Sequence, residues 1–165
     1  IKKVSVDKEG TGMGWGAVYA QYLESMDQIG EQGNGLSVSR QLYKGDEALN
    51  ESAPLKVGDK ITVRLTVKAD RDMDFVQIKD DRAACMEPLQ AVSGFRWSNG
   101  LGYYQATKDA STQFFIDQMR KGTYVIEYQV YVNRTGEYQA GIATVQSAYA
   151  PEFGGHTGGY RVMVE

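Results

Sequence analysis

"KITVRLTVKA" (residues 60–69) sets Ile61, Val63, Leu65 and Val67 against Thr62, Arg64, Thr66 and Lys68. A period of two with one apolar side is the mark of a half-buried strand. "LKVGDK" precedes it, and Gly58-Asp59 supplies the turn that feeds it. Further runs of the same kind lie on both sides. "LSVSRQLY" (36–43) alternates through Leu36, Val38, Arg40 and Leu42, and "DFVQIKD" (74–80) alternates again. "FFIDQM" (114–119), "RKGTYVIEYQVYV" (120–132) and "GEYQAGIATVQSAY" (136–149) follow, and "GYRVMVE" (159–165) closes the chain. "RKG" and "NRTG" between these runs read as hairpin turns. Several short strands at regular spacing predict an all-β fold, an antiparallel β-sandwich with at most one short helix.

Composition points the same way. Eleven tyrosines, nineteen glycines and three prolines in 165 residues suit strands joined by turns. That length allows one ordinary domain with a sizeable core. The net charge is −3 with no Lys/Arg cluster, which favours neither nucleic acid nor an anionic membrane surface as partner. No stretch reaches the ~20 apolar residues of a membrane span, so direct membrane insertion is not expected. The single Cys85 excludes an internal disulfide and fits either a reducing or a secreted setting. The chain opens at Ile1 without a signal segment and is expected to be a piece of a longer polypeptide.

Two segments are less regular. Residues 1–13 run into "DKEGTGMGWG" (7–16), whose glycines read as a linker or turn, and are expected to be a linker or the tail of a preceding module. "AVYAQYLESMDQI" (17–29) fits a helix through Val18, Tyr22 and Met26 or a strand through Tyr19, Gln21 and Leu23; aromatic enrichment favours the strand. Residues 81–112 lose periodicity and hold Phe95, Trp97, Tyr103 and Tyr104 among glycines. A connection that long needs a function, a short helix or an extra strand.

Candidate chemistry is sparse. Asp70, Asp72, Asp74 and Asp81 fall at calcium-loop positions, yet Phe75 stands where glycine is required and the last ligand is not glutamate, so a solvated turn is the better reading and no metal is expected. "CMEP" (85–88) resembles the Cys-x-Glu-Gln of an internal thioester, but Pro88 has no side-chain carbonyl to give, leaving Cys85 as a small hydrophobe. His156 is the only histidine and reads as a solvated loop residue, no serine sits in an elbow sequence, and no glycine pattern opens a phosphate-binding helix. Neither a cofactor nor an enzyme activity is indicated. Asn50-Glu51-Ser52 and Asn133-Arg134-Thr135 match the glycosylation acceptor pattern and serve here only to mark turns.

The ordered segments "GWGAVYAQYLESMDQI", "DFVQIKDDRAA" with "EP" after it, "SGFRW", "LGYYQATKDASTQFF", "KGTYVIEYQV" and "ATVQSAYAPEF" followed by His156 carry a resemblance. Together they are similar to the C-terminal macroglobulin domain of bacterial alpha-2-macroglobulins, from Gly14 to the end. The resemblance implies a non-catalytic β-sandwich at 14–165 in a large protease-trapping protein of the periplasm or cell envelope, commonly lipid-anchored. It implies preceding domains of the same polypeptide as partners, a thioester domain above all, and proteases as partners of the full-length protein. It also implies a role for one loop, which covers the reactive bond of the thioester domain. The matching positions are Gln146, Ser147, Ala148, Tyr149, Pro151, Glu152 and Phe153, with His156 beyond; Tyr149 matches the family's loop tyrosine, and Ala148 departs from the methionine often found before it.

Ordering about ten residues there costs roughly 1–2 kcal/mol each. Tyr149 and Phe153 return about 2–3 kcal/mol apiece on burial, so the sandwich or a neighbouring domain has to hold the loop. Those two rings either cover a partner or close this domain's own core. An alternative for the whole chain is a free-standing carbohydrate- or peptide-binding sandwich with Trp97, Tyr103 and Tyr104 as platform.

Overall fold

A computed structural model describes residues 4–50 and 53–165; the Asn50-Glu51-Ser52 match and the first residues of the leading tail therefore lie partly outside the described residues. The strands are β1 (Gln32–Asn34), β2 (Leu36–Lys44), β3 (Glu47–Ala48), β4 (Lys60–Ala69), β5 (Met73–Asp81), β6 (Met86–Pro88), β7 (Gly94–Ser98), β8 (Leu101–Thr107), β9 (Ser111–Met119), β10 (Gly122–Val132), β11 (Gly136–Ala140), β12 (Ala143–Ser147), β13 (Gly154–His156) and β14 (Tyr160–Val164). Among the described residues the only helical element is a 3₁₀ turn at Met26–Gln28. The all-β antiparallel sandwich is the observed architecture.

One layer runs β6-β10-β4-β2 and the other β13-β12-β5-β9-β8-β7, with β1 joining them at one end. The joint turns sharply at Gly35, whose φ of 70° is open to glycine and costly for other residues. β11 and β14 form a separate ribbon, and Leu55 bridges to Val164 beside it.

β4 explains the core. Ile61, Val63, Leu65, Val67 and Ala69 are buried while their neighbours are not, as period two requires. They pair with β2 and β10, so Val38, Ile126, Tyr128 and Val130 add to one inner face. Val76, Ile78, Phe114, Ile116 and Val145 face them from the other layer. Phe114 meets Tyr128 across the gap at 6.0 Å between ring centres. Each such side chain contributes about 1.5–3 kcal/mol on burial.

Polar groups also cross the core. Arg40 on β2 pairs with Asp80 on β5 at 2.5 Å, and the Tyr128 hydroxyl donates to the other Asp80 oxygen at 2.7 Å. Burial pushes the Asp80 carboxyl up, against the pull of Arg40 and Tyr128. Burial likewise raises Tyr128 well above 10 and Tyr160 to about 12. Arg40 also lies 4.5 Å over the Tyr160 ring and donates to the Gly141 carbonyl.

Several sequence expectations change. "RKG" and "NRTG" are not hairpins: β9 and β10 lie in opposite layers, and β11 pairs with β14 instead of β10. The run 136–149 is two strands in different sheets, broken at Gly141, where any Cβ would collide with Asp81. Residues 17–25 form no strand; Tyr19 and Leu23 stand exposed without a ladder to join. The irregular stretch 81–112 holds three strands, β6 to β8. Its β7–β8 hairpin turns on Asn99-Gly100, with φ of 48° and 79°, a strong two-residue hairpin signal that sequence reading passed over.

Candidate functional site

The 146–153 segment is the connection between β12 and β13, which pair as a hairpin. β12 runs to Ser147 and β13 starts at Gly154, so six residues are irregular instead of about ten. The Ser147 amide donates to the Phe153 carbonyl at 3.1 Å, and the Phe153 amide to the Ala150 carbonyl at 2.9 Å. The Ala148 amide donates to Phe75 of β5 at 2.9 Å. Two side chains tie the far arm: Gln146 donates to the Pro151 carbonyl at 3.3 Å and Asn34 to the Glu152 carbonyl at 2.7 Å. The sandwich therefore holds the turn, which answers the ordering cost raised by its sequence.

The two aromatic rings take different places. Phe153 is half-buried against the core; it fills the space beside Gly35, where a Cβ would come within 2.7 Å of it, and Arg71 lies 4.6 Å over its ring. Tyr149 is 80% exposed at the tip, and its ring meets Phe75 edge-on at 5.1 Å. Ala148, Pro151 and Glu152 are exposed around it, and Ser147 is buried in the strand. His156 is not a solvated loop residue: it sits in β13 between Gln32 and Thr144, half-buried, with Nδ1 3.1 Å from the Thr157 carbonyl.

Phe75, which the sequence marks only as a departure from the calcium-loop pattern, is the residue beneath Tyr149. Its φ is 53°, which a bulky side chain seldom adopts and which costs on the order of 1–2 kcal/mol. It sits where two paired strands reset their alternation together. Met73 and Val76 are buried on β5, Met119 and Ile116 opposite them on β9, and the two residues between on each strand are exposed. The sequence signal was faint: an aromatic residue out of phase with its strand.

The alternative platform is not one surface. Trp97 is 75% exposed, and Tyr104 lies on the same outer face, whereas Tyr103 is 6% exposed and meets Phe114 in the core at 5.7 Å. Consecutive residues of a strand point to opposite faces, so Tyr103 and Tyr104 had to separate. The outer face recruits Phe95 and Phe115 instead. Phe95 is 79% exposed and meets Tyr104 edge-on at 5.1 Å. Trp97 lies against Gly102, where a Cβ would stand 2.8 Å from the indole. On the opposite side of β7, Arg96 bends back to the Phe95 and Val92 carbonyls at 3.4 Å.

The remaining candidates are structural. Asp72 accepts from the Lys121 amide, Asp70 pairs with Arg71 and Asp81 with Lys79. Asp81 ends the nine-residue β5, on the order of 25 Å from the turn that holds Asp70 and Asp72, too far to share an ion. Among the described residues no group of three or more His, Cys, Asp or Glu could hold a metal. No helix there is long and apolar enough to cross a membrane. Cys85 is buried, and desolvation raises its thiol pKa, the opposite of a reactive cysteine. Asn133 donates to Glu87 at 3.2 Å.

A family model described as Bacterial Alpha-2-macroglobulin MG10 domain matches residues 35–152. Escherichia coli alpha-2-macroglobulin activated by porcine elastase superposes with a TM-score of 0.71 at 16% identity, over 83% of this chain and 14% of that one. Salmonella alpha-2-macroglobulin reacted with methylamine gives 0.69 at 19% identity, over 82% of this chain and 10% of that one. A curated relative, circularly permutated Ras protein 2 of Dictyostelium discoideum, is 28% identical over 166 residues, which cover 96% of this chain and 4% of that protein. The chain thus spans a small part of each, and the likeness to the solved structures is one of fold. The matched stretch takes in strands of both layers and Tyr149, and on it the chain belongs to the bacterial alpha-2-macroglobulin MG10 domain family.

Proposed function

We propose that residues 14–165 act as a non-catalytic docking domain in a larger, protease-trapping macroglobulin of the bacterial periplasm or cell envelope, with residues 1–13 as the tail of a preceding module. In this reading the 146–153 loop rests on the thioester domain of the same polypeptide and covers its reactive bond until a protease is caught.

One observation carries it. Tyr149 is held outward, 80% exposed, on a turn whose backbone is already fixed by the sandwich. Leaving a tyrosine in water forgoes about 1.5–3 kcal/mol of burial, which a partner's surface would recover. Because the turn is formed in advance, docking loses little further chain entropy. Ala148 beside it is small and exposed, so the tyrosine supplies the bulk of the contact.

The test is association between this chain and the separately expressed preceding domains. Tyr149→Ala is expected to weaken it about tenfold or more, the range of an interface anchor. No association between folded partners overturns the reading.

A further inference from the structure

The outer face of the β7 to β12 layer extends the surface around Tyr149. Phe95 pairs with Tyr104, Tyr104 with Phe115, Phe115 with Gln77 and Gln77 with Gln146. Alternate residues of a strand share a face, so Trp97, Gly102, Asp117 and Phe75 form a second row beside that one. At a strand spacing of ~4.8 Å the band reaches on the order of 15 Å from β7 to β5. It ends at the Phe75–Tyr149 pair. Its six rings, each worth ~150–250 Å² when fully bare, leave on the order of 700 Å² open, a size that marks an interaction site on a soluble protein.

The rings are also fixed in place. Trp97 is laid down on Gly102, Phe95 is braced by Tyr104, and Tyr149 by Phe75. Phe75 is itself 49% exposed, and its aromatic contact is Tyr149.

We propose that the band from Trp97 to Tyr149 is one docking face for a neighbouring domain of the same polypeptide, with the Phe75 ring bracing Tyr149 in it. The proposal rests on the docking reading of Tyr149 and enlarges it. A sheet face this broad does not enclose a small sugar as a concave site does. About 700 Å² a side matches the 600–1,500 Å² of contacts between domains of one chain. A tethered neighbour also arrives at high effective concentration.

Hydroxyl-radical footprinting of the full-length polypeptide tests it, with free N-acetyl-tryptophanamide and N-acetyl-tyrosinamide as internal rate standards. Trp97 and Tyr149 are both expected to oxidise several-fold more slowly than the standards, unchanged on dilution. Trp97 at the free rate with Tyr149 protected overturns the band and leaves the covering loop standing; both at the free rate overturn the two readings together. Protection of Trp97 that appears only with an added glycan mixture, or vanishes on dilution, assigns the face to a sugar or to a second copy and overturns the proposal. Phe75→Gly, which relieves the positive φ, is expected to free Tyr149 to oxidise several-fold faster while this domain melts no earlier. Earlier melting with Tyr149 still protected makes Phe75 a structural residue and removes it from the face.

Discussion

Two aromatic clusters of similar chemistry sit on opposite sides of one sheet. Tyr103, Phe114 and Tyr128 line the inner side with ring centres 5.7 and 6.0 Å apart. Phe95–Tyr104 and Phe75–Tyr149 stand on the outer side at 5.1 Å. The inner rings lead into a hydrogen-bonded charge, through Tyr128 to Asp80 and Arg40. The outer rings lean on glycine backbone and on each other. Ring geometry alone therefore does not separate a core from a docking surface; what separates them is whether anything in the domain is lost when the ring is removed.

The largest effect expected is on the inner side. Asp80→Ala leaves a buried guanidinium without its counter-charge and a buried phenol without its acceptor, and unfolding by denaturant should show a loss of about 3–5 kcal/mol. A loss under about 1 kcal/mol would mean that apolar packing alone joins the layers. Alkali probes the same network. Tyr160 is raised from 10 to about 12, and Tyr128 well above 10, so the native state keeps protons that the unfolded chain releases. Their contribution is complete below pH 10 and falls as pH rises toward 12, by about 1.4 kcal/mol per unit for each tyrosine. Melting curves across that range should drop steeply, and Tyr160→Phe should flatten the drop. The smallest effect belongs outside: Trp97→Ser is expected to change stability by less than about 0.5 kcal/mol. A loss of several kcal/mol there would make the outer rings part of the core and erase the distinction.

The strands were legible wherever a strand has one wet face. β4, β2, β5 and β9 alternate because their inner sides pack on the opposite layer, and the pattern records it. Which strands pair was not legible. A tight turn such as "RKG" has the same composition whether it closes a hairpin or crosses between layers, and the deciding contacts come from β4 and β5, far along the chain. The loop's tyrosine could be found because its neighbours form a recognisable motif. Its brace could not, since a positive φ at Phe75 follows from how β5 and β9 change phase together, and no composition records that. Tyr19 and Leu23 had a strand's pattern without a strand, because a ladder needs a second chain segment beside it.

β7 is the outermost strand of its layer, with no strand beside its free edge among the described residues. Such a rim, studded with Phe95 and Trp97, invites strand-by-strand growth into filaments. Arg96 blunts it by folding its guanidinium over the Val92 and Phe95 carbonyls and by adding charge where another copy would zip on. An apolar residue at position 96 would leave the sandwich intact and turn the protein's solubility into a matter of concentration and time.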